Sequence, residues 1–150
     1  MKLEDKLNKS IIESMKSRNV IRLESLRSIK SALILLKTKH RNSLISEIEE
    51  IQMLQKLLKQ RKESSSIFKD QNRIDLAEQE DTQAKIISEF LPKQLSREEI
   101  ENIIAKIIIQ TQASSMKDMG KVMSEASIKL AGKADGKTIS IIVREKLTKT

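Results

Sequence analysis

The sequence predicts an all-α fold, an N-terminal bundle of about four helices followed by a small C-terminal three-helix module. Three observations carry this. Apolar residues recur every three or four positions along nearly the whole chain, the period of amphipathic helices. No segment alternates apolar and polar residues convincingly over a strand's length. Ser46 with Glu49, and Ser96 with Glu99, have the S-x-x-E spacing that opens a helix.

The first helix is marked by Leu3, Leu7, Ile11 and Met15, with Ile12 widening the stripe. A break is expected near Asn19. The second helix runs from about Val20 to Lys39 with Leu23, Leu26, Ile29, Leu33 and Leu36 inward. Periodicity lapses over His40, Arg41, Asn42 and Ser43, which read as a loop. The Ser46/Glu49 capping box opens a third helix with Ile48, Ile51, Leu54, Leu57 and Leu58 inward. Ser64, Ser65 and Ser66 weaken helix propensity, so whether this helix reaches Phe68 is open. After a turn near Gln71 and Asn72, a fourth helix points Leu76, Ile86, Ile87 and Phe90 inward.

Pro92 is the one proline, and it disfavours helix at the residue before it. The boundary expected at Pro92 to Gln94 gives two domains, residues 1–94 and 95–150. Ser96 and Glu99 open the fifth helix, with Ile100, Ile103, Ile104, Ile107 and Ile108 on one side. Ile107, Ile108 and Ile109 form a β-branched run, but its place within an i, i+3, i+4 pattern favours helix. Ser114 and Ser115 offer an N-cap for a sixth helix running through Met116, Met119, Val122, Met123 and Ala126 to Leu130. Gly132 is expected as the left-handed residue just past its end. Asp135 is expected to cap a last helix carrying Ile139, Ile142, Val143 and Leu147.

Composition narrows the chemistry. The 150 residues include 22 Ile and 16 Leu, enough for an aliphatic core although 33% of residues are charged. Phe68 and Phe90 are the two aromatics. With no cysteine, disulfide and thiolate chemistry are excluded, and with His40 alone a histidine-cluster metal site is not expected. No metal or cofactor is anticipated. No apolar run approaches the roughly 20 residues of a membrane span, and there is no charged-then-apolar leader. The expected setting is cytoplasmic. Residues 1–94 hold 19 basic and 14 acidic side chains and residues 95–150 hold 10 and 7, so the net +8 is shared rather than confined to a tail. A basic balance favours polyanionic partners without dictating fold.

The glycines at 120, 132 and 136 fall within 17 positions. They mark a tightly turned helical module. Here the sequence also begins to resemble a known family. The segments Leu23–Leu33, Lys59–Ser64, Asn72–Ala77, Phe90–Ser96, Met119–Met123 and Gly132–Gly136 occur in the order found in the YqeY family, over some 115 residues. The C-terminal part of that family is similar to the tail domain of GatB, the tRNA-handling subunit of glutamine-dependent aminoacyl-tRNA amidotransferases. Phe90 stands where the family usually has Tyr, and Ser124 and Ser127 where Gly and Pro are expected. The resemblance implies an association with tRNA and a family-level link to carbon–nitrogen ligases that use glutamine as amide donor.

The residues themselves offer no catalytic constellation. Three glycines spaced 12 and 4 apart cannot form a G-x-x-x-x-G-K-[ST] phosphate loop. Ser114 and Ser115 before Lys117 suggest an amidase nucleophile, but N-capping explains both serines. His40 has no acidic orienting partner in a motif. Glu49–Glu50 and Glu98–Glu99 sit in first turns, where acids complement the helix dipole.

Binding is the stronger reading. Arg27, Lys30 and Lys37 fall within an arc of roughly 80° on the second helix, and Lys59, Lys62 and Lys69 form a similar stripe on the third. Lys117, Lys121, Lys133 and Lys137 flank the glycine turns. Lysine stripes track phosphates, with affinity that falls steeply with salt. They also serve as solvated faces whose stems shield aliphatic surface. A helix N-terminus near lysines suits a phosphate, although Asp135 competes for the same amides. With no Trp or Tyr there is no platform for unpaired bases, so backbone and shape recognition of a folded RNA such as tRNA is expected. The competing reading is a helical protein–protein adaptor with no nucleic-acid role.

Overall fold

The computed structural model describes residues 2–41 and 44–148. Asn42 and Ser43, half of the expected loop, lie outside the described residues. Seven α-helices follow one another: α1 (Leu3–Lys16), α2 (Val20–Lys39), α3 (Glu47–Asp70), α4 (Ile74–Ser88), α5 (Arg97–Thr111), α6 (Met119–Lys129) and α7 (Gly136–Thr148), with a 3-10 turn at Met116–Asp118 before α6. Among the described residues there is no strand, and no helix is long and apolar enough to cross a membrane. The chain is all-α. It divides into two compact units, residues 1–92 and 93–150.

In the first unit, α1 ends where Arg18 adopts a left-handed φ of 56°. Asn19 then caps α2 by accepting from the Arg22 amide at 3.1 Å. The apolar stripe of α1 turns out narrower than the spacing suggests. Leu3 and Leu7 are buried and Ile11 is half-buried, but Met15 and Ile12 are exposed and Ser14 takes the buried position in the last turn. A four-residue repeat drifts about 40° per step around a helix of 3.6 residues per turn, which carries Met15 off the face that Leu3 begins. The core joins Leu3 and Leu7 to Leu26, Ile29 and Leu33 of α2, Leu54 of α3, and Ile86, Ile87 and Leu91.

Ser46 and Glu49 make the full reciprocal capping box at the start of α3. Ile48, expected inward, is exposed in that first turn. The helix runs through its three serines to Asp70, because Ser65 is buried and bonded rather than competing for its own backbone. Asn72, at φ 59°, turns the chain into α4.

In the second unit, the side chain of Ser96 accepts from the Glu99 amide at 3.2 Å, but the Glu99 carboxylate takes the Ser96 hydroxyl rather than its amide. The capping box expected there is therefore only half made. The isoleucine run is helical: Ile100, Ile104 and Ile107 are buried, while Ile109 points out at 76% exposure. Ser115 caps the 3-10 turn, not a regular helix, and α6 starts only at Met119. Met116 is exposed, whereas Met119 and Met123 pack against the core of Val122, Ala126, Leu130, Ile139, Ile142 and Val143.

Candidate functional site

The glycine-rich segment positions the C-terminal lysines. Gly132 is buried and is the one glycine among the described residues with positive φ, 76°. It lies two residues beyond the C-cap Leu130 of α6, in a turn closed by the Lys133 amide on the Leu130 carbonyl at 2.9 Å. Its own carbonyl accepts from Gln94 Nε2 at 2.6 Å, and that of Lys133 accepts from the Leu95 amide at 2.9 Å. These two bonds hold the turn against the start of the unit. Gly120 and Gly136 are helical, and a Cβ on either would meet nothing within 4 Å.

The four lysines occupy different settings. Lys117 is exposed in the 3-10 turn. Lys121 donates from Nζ to the Thr111 carbonyl at 3.3 Å, capping the C-terminal end of α5. Lys133 and Lys137 are exposed in the turn and in the first turn of α7, past the opposite end of α6. At 1.5 Å per residue, the rise from Lys121 to the last residue of α6 alone is about 12 Å. The lysines therefore sit as two pairs, and each pair brackets an aspartate. Asp118 accepts from the Ser114 amide at 2.9 Å. That bond, with Lys121 and Lys117 nearby, lowers its pKa. Asp135 accepts from the Thr138 amide at 2.6 Å, so the N-terminal amides of α7 already face a carboxylate. This surface is a patchwork of positive charge around two fixed carboxylates.

In the first unit, Arg27 is exposed and Lys30 half-buried on α2, and neither forms an ion pair among the described residues. Lys37 is bound to Glu4, whose carboxyl is held below the usual range by that hydrogen bond and by the Lys37 charge, with Lys30 and Lys2 adding less. On α3, Lys59 lies 4.0 Å from Glu63 and Lys69 lies 3.4 Å from Asp81, while Lys62 has no ion pair among the described residues. Arg41 falls outside α2, at φ 48°. Where the sequence offered His40 no acid, the fold places Glu49 Oε2 3.8 Å from its Nε2. Among the described residues, no group of three His, Asp or Glu is arranged to hold a metal ion.

The first unit also carries a groove that no sequence pattern marks. It encloses about 700 Å³ between the start of α1, the end of α2, the start of α3 and residues 89–92. Leu33, Ile51, Leu54, Phe90 and Leu91 are among its apolar residues. Lys2, Lys6 and Lys37 line it together with Glu4, Glu47, Glu50 and Glu89. Glu50 is half-buried, and its side chain makes no hydrogen bond or ion pair among the described residues. Burial, and to a lesser extent Glu47, raises its pKa, while Lys37, Lys2 and Lys6 pull the other way. Four chain segments distant in sequence build this groove, so no local motif announces it.

Comparison with known proteins falls on both the whole chain and a part of it. The family model described as Yqey-like protein matches residues 4–147. A stretch of 57 residues is 44% identical to a subunit of the glutamyl-tRNA(Gln) amidotransferase of Thermococcus gammatolerans, covering 35% of this chain and 9% of that protein. An uncharacterized protein of Schizosaccharomyces pombe is 30% identical over 94 residues, which is 63% of this chain and 76% of the relative. With a match running from the second residue of α1 to the last turn of α7, the chain belongs to the YqeY-like family.

Proposed function

We propose that this protein is a non-catalytic tRNA-associated factor that uses its C-terminal unit, residues 93–150, to contact the RNA backbone. The observation that carries this reading is the 57-residue likeness to a subunit of a tRNA-dependent amidotransferase, which we assign to the C-terminal unit. The net charge of +8 supports it, as do Lys117, Lys133 and Lys137, exposed and without ion pairs among the described residues. The carboxylates of Asp118 and Asp135 beside these lysines favour contacts to spaced phosphates over a single tight phosphate pocket. In this reading an activity of the amidotransferase class belongs to a partner, not to this chain. The cytoplasm, where tRNA is charged and used, is the matching compartment.

The test is a titration of labelled tRNA with the full chain at about 50 and 200 mM salt, with duplex DNA as control. Preference for tRNA, a steep salt slope, and a shallower slope in the triple variant K117A/K133A/K137A are expected. Equal binding to DNA, or an unchanged slope in the variant, overturns the reading.

A further inference from the structure

We propose that the groove of the first unit docks an amphipathic helix of a partner protein, with acidic side chains along one edge of its apolar stripe and basic side chains along the other. Charge complementarity and the floor both lead here. Half-buried Ile45, Ile51 and Phe90, over a floor of buried Leu33, Leu54 and Leu91, offer an apolar surface of the kind that takes side chains at i, i+3, i+4 and i+7. A volume of about 700 Å³ admits several such side chains. Lys2, just before α1, and Lys6 on α1 have no ion pairs among the described residues, and neither has Glu50 on α3. A half-buried carboxylate without a partner is costly, and a lysine or arginine arriving from a bound helix relieves that cost. Lys2 and Lys6 would meet the acidic edge of the same helix. Four glutamates offset the three lysines around the groove, so its charge is mixed, unlike the cationic surface that a phosphate backbone favours.

The probe is a displayed library of amphipathic peptides with leucine at the stripe positions and Glu, Lys or Ala at the edges, selected on the full chain. Enriched peptides should carry Glu on one edge and Lys on the other. The best of them, made synthetically, should shift the amide NMR signals of Lys6, Leu33, Ile51 and Phe90. Glu50→Lys should weaken that peptide about tenfold, or about 1.4 kcal/mol, and move a repeated selection toward Glu on both edges. Lys6→Glu, on another helix, should move selection toward Lys, so the outcome does not rest on one variant folding. No enrichment, uniformly acidic winners on the unmodified protein, shifts confined to other residues, or displacement of the peptide by tRNA each overturns the proposal.

Discussion

The hydroxyl of Ser65 donates a 2.6 Å hydrogen bond to the carboxylate of Asp81, tying α3 to α4 beyond the reach of the aliphatic core. The core follows α3 only as far as Leu58. Past it, the hairpin is held by polar contacts: Arg61 to Gln83 at 3.2 Å, Arg61 to Glu80 at 3.1 Å, and Lys69 to Asp81 at 3.4 Å. One oxygen of Glu80 is buried and accepts no hydrogen bond, facing Arg61 as a charge pair alone. Ser65 and Ala77 are both buried, so the helices meet here over small side chains.

That geometry separates two neighbouring serines. Ser65→Leu should destabilise the protein by about 1–3 kcal/mol through overpacking. Ser66→Leu, on the exposed face, should change stability by no more than about 0.5 kcal/mol. Urea unfolding of the two variants checks this, and equal effects would mean that Ser65 does not set the helix spacing.

The same bond has a pH signature. The Ser65 hydroxyl first, and then the charge of Lys69, hold the Asp81 carboxyl below its usual range. A carboxylate with a depressed folded-state pKa stabilises the protein above its unfolded value, and that contribution disappears as pH falls through the folded one. The thermal midpoint should therefore fall more steeply between about pH 4 and 2 in the unmodified protein than in Asp81→Asn. Asp81 is exposed, so the difference should shrink at high salt. Parallel pH profiles would remove Asp81 from the account.

What could be read from the sequence follows from what is local. The α2 boundaries, the Ser46 cap and the helical state of the isoleucine run depend on periodicity and capping within a few residues, and each is found. The failures are questions of which neighbour packs where. Met15 and Ile12 lie on the open side of α1, Ile48 sits in a first turn beyond the core, and Met116 falls in a 3-10 turn whose register differs from that of α6. Spacing alone cannot tell a stripe covered by a partner helix from one left open. The lysines were visible one by one, but not the Asp118 and Asp135 carboxylates fixed between them, nor the Thr111 carbonyl that Lys121 holds.

Lys121 should consequently behave unlike its neighbours. Its ammonium caps α5, so Lys121→Ala should lower the thermal midpoint slightly while leaving tRNA affinity within about twofold, less than one phosphate contact is worth. Lys133→Ala should do the reverse, with stability unchanged and affinity and salt slope reduced. Thermal denaturation and the two-salt titration, run on both variants, separate the roles. The opposite pattern would move Lys121 into the binding surface.

Two glycines twelve residues apart should answer the same substitution with opposite signs. Gly120 lies in the first turn of α6, where an added Cβ meets open space. Gly120→Ala removes backbone freedom from the unfolded chain, adds helix propensity, and should stabilise by up to about 1 kcal/mol. Gly132 holds φ at 76°, a conformation that a side chain disfavours by about 1–2 kcal/mol. Its carbonyl also anchors Gln94, so relaxing the backbone to suit alanine would cost that bond as well. Gly132→Ala should therefore destabilise by at least that amount. Chemical denaturation of the two single variants gives the signs directly. If both moved the same way, the left-handed turn after α6 would not be what holds residues 94 and 95 in place.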